Sequence, residues 1–250
     1  MAFYKSKNPA LSEQIFTKSR DGATYSETMT IQGTVNKTAF LGMLVFIGAL
    51  FTWNWYFSTQ NLAAIQPVII GSSVIALIVA VVIIFKKTTA PYLAPVYCGI
   101  KGLALGGISA FMESVYPGIV LQAILLTLGI LFSLLFIYKT GLIKASENFK
   151  LMVASATAGI GIIYLISFVG SFFGFYMPMI HEGSTWGIIF SLAVVAIAAL
   201  NLVIDFDFIE QGEEAKAPKY MEWYGAFGLM VTIIWLYIEI LRLLSKLRSR

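Results

Sequence analysis

Long apolar stretches recur along this chain and are separated by short polar ones. Seven of them run roughly over Thr38–Phe57, Pro67–Phe85, Pro91–Met112, Gly118–Tyr138, Phe149–Gly170, Ser184–Ile204 and Trp223–Leu244. About 20 residues at a rise of about 1.5 Å each are enough to cross the hydrocarbon core of a bilayer as an α-helix. The pattern therefore predicts an all-α membrane protein, a bundle of seven transmembrane helices. A further apolar stretch, Ser171–Ile180, is broken by Gly174 and Pro178 and is too short to span. It is expected to lie at the interface or to fold back on the bundle. Residues 1–37 form a polar arm with no apolar h-region, so the first span reads as an uncleaved membrane helix, and residues 38–250 as one transmembrane domain.

Composition agrees with this class. The chain is 58% hydrophobic and 12% charged, whereas a soluble domain is about one quarter charged. The single Cys98 lies inside a span and can form no intrachain disulfide. The net charge of +4 is better read loop by loop than as a nucleic-acid signal. Lys5, Lys7, Lys18, Arg20 and Lys37 precede or enter the first span. Lys86 and Lys87, then Lys139, Lys144 and Lys150, then Lys216 and Lys219 mark the even-numbered connections, and the odd-numbered ones hold neither Lys nor Arg. The positive-inside rule then places the N-terminus in the cytoplasm. Seven spans leave the C-terminus outside, yet Arg242, Lys246, Arg248 and Arg250 gather there. The alternative is a re-entrant last segment with its tail inside.

Few charges fall within the spans, and there they cost several kcal/mol each, so they are functional candidates by default. Lys101 sits near the middle of the third span and Asp205 and Asp207 at the end of the sixth. Asn201 and Asp205 share a helix face one turn apart, while Asp207 points toward Glu210 and Glu214, a face that reads as solvated. Helix rise puts Lys101 about 15 Å and Asp205 about 9 Å from the same side, a separation that lysine snorkelling can bridge. In the last span Gly225, Gly228, Thr232, Trp235, Glu239 and Arg242 recur at spacings of three and four and make one stripe. The stripe is expected to face protein or a water-filled cleft, as in a last helix surrounded by the others. Glu239 and Arg242 also suit a local i,i+3 ion pair near the helix end. Glu113 and Glu239 fall near the outer end. Gly102 with Gly106, and Ser155 with Gly159, have the spacing that brings helix backbones together.

Enzymatic motifs are weak. His181-Glu182 lacks the second histidine of a zincin, no Cys/His cluster supports zinc, and no phosphate-binding glycine loop occurs. No lysine lies in the last span before Lys246, which argues against a retinal pigment.

The segments SVYPGIVLQA, NLVIDFDFIEQG and KYMEWYGAFGLMVTIIWLYIEILRLLSKL resemble the Bax inhibitor family, and most closely its bacterial YccA-like branch. NPALSEQIF and MTIQGTVNKTAFL near the N-terminus are similar to that branch as well. The resemblance implies a multi-pass protein of the bacterial inner membrane, a seven-helix bundle with the last helix at its centre. It implies one of two functions. Some members are pH-sensitive calcium leaks, in which an acid on span six and one on span seven share a proton. Others bind and restrain a membrane-anchored AAA protease. The span-six acid matches Asp205. Aligning the closing ILRLL run places Thr232 at the second acid, whereas aligning LYIE gives Glu239; depth favours Thr232. Lys101 departs from the branch, where an acid is frequent, and a cation there would oppose calcium entry. The candidate ion or proton pathway is therefore Asp205, Asp207, Lys101, Asn201, Thr232, Glu239 and Glu113. Calcium or protons are the expected permeant species. No cofactor is expected.

Overall fold

The computed structural model describes residues 28–174 and 183–249. The arm upstream of Thr28, residues 175–180 of the expected interfacial stretch, and His181-Glu182 lie outside the described residues.

Seven helices among the described residues are long and apolar enough to cross a membrane. They are α1 (Ile31–Thr59), α2 (Leu62–Phe85), α3 (Ala90–Val115), α4 (Ile119–Lys139), α5 (Glu147–Phe172), α6 (Thr185–Glu214) and α7 (Tyr220–Arg248). Each contains most or all of an apolar stretch read from the sequence, so the protein is an all-α, seven-helix membrane protein. The helices outrun the stretches at several ends, because lipid dictates apolar side chains only where the helix is in lipid. Thus α1 starts seven residues before Thr38, and α6 continues ten residues beyond Ile204. The acidic run EQGEE therefore belongs to α6, and the α6–α7 connection shortens to Ala215–Lys219. Local chemistry sets the helix ends. Thr30, Asn61 and Ser146 accept N-cap hydrogen bonds from Gly33, Ala63 and Phe149. Pro67 lies inside α2 rather than at its start, a position that membrane helices tolerate.

Two compact units divide the described chain. One takes in the residues up to Phe111 together with Asp205–Met230; the other takes Met112–Ile204 and the residues from Val231 onward.

In the first unit, α1 and α3 touch backbone to backbone. A Cβ on Gly102 would collide with the Val45 carbonyl, and one on Gly106 with the Ala49 carbonyl and the Thr52 hydroxyl. The expected glycine pair is thus a real close approach. The Thr52 hydroxyl reinforces it, donating to the Leu103 carbonyl at 2.8 Å. Tyr56, Ile65 and Ala110 form a buried cluster flanked by Trp53, Ile69 and Phe111. Tyr97 of α3 meets Phe227 of α7 edge to face, with ring centroids 5.0 Å apart.

In the second unit, α5 is hooked to α6 and α7 by polar side chains, described below. The Ser155/Gly159 pair is not a helix contact. A Cβ on Gly159 meets nothing within 4 Å, and Ser155 is exposed. Spacing alone cannot say which face of a helix is covered.

The two most buried spans are α3 and α7. Along α7, Met221, Glu222, Ala226, Met230, Ile234, Leu236, Glu239, Leu241 and Lys246 are all buried. It is a continuous helix of 29 residues, long enough to cross a membrane.

Candidate functional site

The charged side chains within the helices fall into separate clusters. In the first unit the most buried is Glu222, in the first turn of α7, with no exposed surface. Its carboxylate sits on the N-terminus of α1. The Thr30 amide donates to Oε1 at 2.9 Å and the Thr30 hydroxyl at 2.8 Å. The Lys37 ammonium forms a short ion pair with Oε2, and Lys219 stands 3.4 Å from Oε1. Lys37 also lies over the Trp223 ring, 5.4 Å from its centroid. A helix N-terminus carries unpaired amides and a partial positive charge, so it suits a carboxylate even when buried. The carboxylate can come this close because residue 33 is glycine; a Cβ there would collide with it. A second acid joins from α6, where Glu213 accepts the Ile31 amide at 2.9 Å. The Met29 amide donates to the Ala217 carbonyl at 2.7 Å, and Thr28 pairs with Pro218 as an isolated β-bridge. The start of α1 is thereby clasped by the end of α6, the α6–α7 connection and the start of α7.

Asp205 lies on α6 in the same unit. It is half-buried, and its Oδ2 is fully enclosed. On the same stretch of α6 Phe206 and Ile209 are buried. Asp207 is half-buried rather than fully solvated and accepts from Gln211 Nε2 at 2.6 Å. Glu210 and Glu214 are exposed, as the helical pattern implies. Lys101 is half-buried on α3, and none of the ion pairs described for this unit involves it.

In the second unit the buried acid is Glu239 of α7, 1% exposed. The Tyr164 hydroxyl of α5 lies 3.0 Å from both carboxylate oxygens. Arg242 Nη1 donates to the same two oxygens at 3.0 and 3.1 Å and to the Tyr164 hydroxyl at 2.7 Å. The expected i,i+3 pair is present, and it is part of a three-residue knot. Asn201 turns its amide to α5 and donates to Thr157 Oγ1 at 2.8 Å. Thr232 is buried. Glu113 caps α4: its oxygens accept the Gly118 and Val120 amides at 2.5 and 3.0 Å. The basic tail is occupied locally. Lys246 is buried and donates to the Gly187 carbonyl at 3.1 Å and to Ser191 Oγ at 2.8 Å. Arg248 donates to the Pro117 carbonyl at 2.7 Å and to Gln122 Oε1 at 2.9 Å. Cations at a helix C-terminus also complement its dipole. Lys246 and Arg248 thus have partners at the starts of α6 and α4.

Sequence reasoning did not find Glu222, Thr30, Gly33 or Tyr164. An acid in a first helical turn ordinarily reads as a dipole complement, and nothing local links Thr30 to a residue 192 positions away. Among the described residues no group of three or more His, Cys, Asp or Glu is arranged to hold a metal ion.

Compared with known proteins, the chain matches neither a curated protein nor a solved structure. The family model described as Bax inhibitor 1 like matches residues 8–249, nearly the whole chain. Together with seven membrane-crossing helices, that match shows that this integral membrane protein belongs to the Bax inhibitor 1 like family.

Proposed function

We propose that this protein is a cation leak of the bacterial inner membrane, with its N-terminus in the cytoplasm, in which Asp205 is the group that a permeating calcium ion or proton meets. The observation that carries this reading is an aspartate on a membrane-crossing helix with one carboxylate oxygen fully enclosed. A carboxylate held there at a cost of several kcal/mol argues for a functional return. Lys101, a cation on α3, acts in this reading to lower the entry of divalent ions.

The pH behaviour follows from the last helix. Glu239 is already engaged by Tyr164 and Arg242, which supports Thr232 as the residue at the family's second acid position. Two neighbouring carboxylates titrate as a coupled pair with one apparent pKa strongly raised. A chain with threonine at that position lacks the pair. Its leak is expected to change little between about pH 6 and 8, the range in which a raised carboxyl pKa would act.

The test is calcium-dye flux in proteoliposomes at both pH values. Asp205→Asn is expected to abolish the leak, and Thr232→Asp to make it steeply pH-dependent. A parent leak that already switches steeply and is lost in Glu239→Gln would identify Glu239 as the partner instead. Absence of flux from the parent would sink the leak and leave the alternative, a regulator that binds a membrane-anchored AAA protease.

A further inference from the structure

Met29, Thr30 and the first two turns of α1 are bonded to the end of α6, the α6–α7 connection and the start of α7. Ile31 is bonded to Glu213 of α6, Met29 to Ala217 of the connection, and Thr30 and Lys37 to Glu222 of α7. Gly225 of α7 packs against both Ile209 of α6 and Thr34 of α1. Glu213 is eight residues beyond Asp205 on one continuous helix, about 12 Å along its axis. Glu213 of the clasp and Asp205 thus share one continuous helix.

The clasp is built from charge and hydrogen bonds, and its rim reaches solvent. The Glu222 side chain is fully buried, while that of Lys37 is 18% exposed and that of Lys219 is 42% exposed. Once separated, the two lysines and the freed amides can be hydrated. An apolar contact broken at the same place would leave hydrocarbon in water. The joint is also directional. Glu222 must accept from the Thr30 amide and hydroxyl, and only an acceptor group does so; the ammonium of a lysine is a donor alone. Reversing the charges of the pair cannot rebuild it.

We propose that Glu222, seconded by Glu213, is a releasable latch on the start of α1, and that opening the latch raises the leak through the α6 segment bearing Asp205. Glu222 is thus a positioning residue, acting through α6 on the site proposed above, and the inference rests on that reading for its flux arm. The groups that face the Glu222 carboxylate are Lys37 and Thr30 from α1 and Lys219 from its own turn, with Glu213 on the adjacent amide.

Full-length protein in proteoliposomes provides the test, with two readouts: hydrogen exchange at the Thr30 and Ile31 amides, and calcium-dye flux. In Glu222→Gln, loss of the charged bonds is expected to speed exchange at the Thr30 amide about 10- to 100-fold and to raise flux above the parent. Lys37→Arg, which keeps a cation, is expected to restore both to near parental values relative to Lys37→Met. The reversed pair, Glu222→Lys with Lys37→Glu, is expected to stay open. Should Glu222→Gln fail to fold, Gly33→Ala displaces the carboxylate without removing it and is expected to give the same two changes. Unchanged exchange in both variants overturns the latch. Faster exchange with flux equal to the parent overturns its control of the leak. Failure of the Asp205 reading looks different: Asp205→Asn would leak like the parent, whatever Glu222→Gln does.

Discussion

At the scale of single residues, neighbours decide whether a small side chain matters. Gly102 and Gly159 each belong to a small-residue pair of the same spacing, and only the first pair is a contact. Gly106 faces the Ala49 carbonyl directly, whereas Gly159 faces open space. Gly106→Ala is expected to cost about 1–3 kcal/mol, since α1 and α3 must separate to admit the methyl group. Gly159→Ala is expected to be neutral or to stabilise by roughly 0.5–1 kcal/mol, because alanine suits a helix interior better than glycine. Thermal unfolding in detergent distinguishes the two; equal shifts would mean that the α1–α3 approach is looser than described. The charged residues teach the same lesson. Asp205 was legible as a costly group inside a span, whereas Glu222, which is more deeply buried, looked like an ordinary first-turn acid.

At the scale of elements, side chains beyond the apolar stretches finish the helices and tie them together. Glu113, read from the sequence as a pathway acid, has its oxygens occupied by the amides of Gly118, the N-cap of α4, and of Val120 in its first turn. Glu113→Ala is expected to lower stability by about 0.5–2 kcal/mol, the usual worth of a helix cap. Glu113→Gln, whose amide oxygen still accepts, should lose less. A large flux change in Glu113→Gln with an unaltered melting temperature would return this residue to the pathway. Likewise α5 and α7 are joined through Tyr164, Glu239 and Arg242. Tyr164→Phe removes one donor from a buried carboxylate and is expected to cost about 1–3 kcal/mol. Adding Glu239→Gln to Tyr164→Phe should then cost less than Glu239→Gln alone, because the two share one network.

At the scale of the whole molecule, the number of crossings bears on sidedness. The end of α7 is bonded to the starts of α4 and α6, and the start of α1 to the end of α6 and the start of α7. Seven complete crossings would put the two termini on opposite sides. A reporter fused after Arg250 is expected to read periplasmic and one fused at Met1 cytoplasmic; two readings from the same side would contradict seven complete crossings.

The number, order and approximate limits of the helices could be read from the chain, because each lipid-crossing segment must satisfy its own backbone bonds and present apolar side chains over about 20 residues. That constraint is local and leaves its mark in one dimension. The close approach of Gly102 and Gly106 was partly legible for the same reason, and so was the Glu239–Arg242 pair, whose partners are neighbours on one helix. The enclosure of the Asp205 oxygen, the capture of Thr30 and Lys37 by Glu222, the bonding of Tyr164 to both Glu239 and Arg242, and the local pairing of Lys246 and Arg248 were decided only in the tertiary structure. Each depends on which side chains from distant parts of the chain meet, and a charge on a helix carries no local sign of the partner that neutralises it.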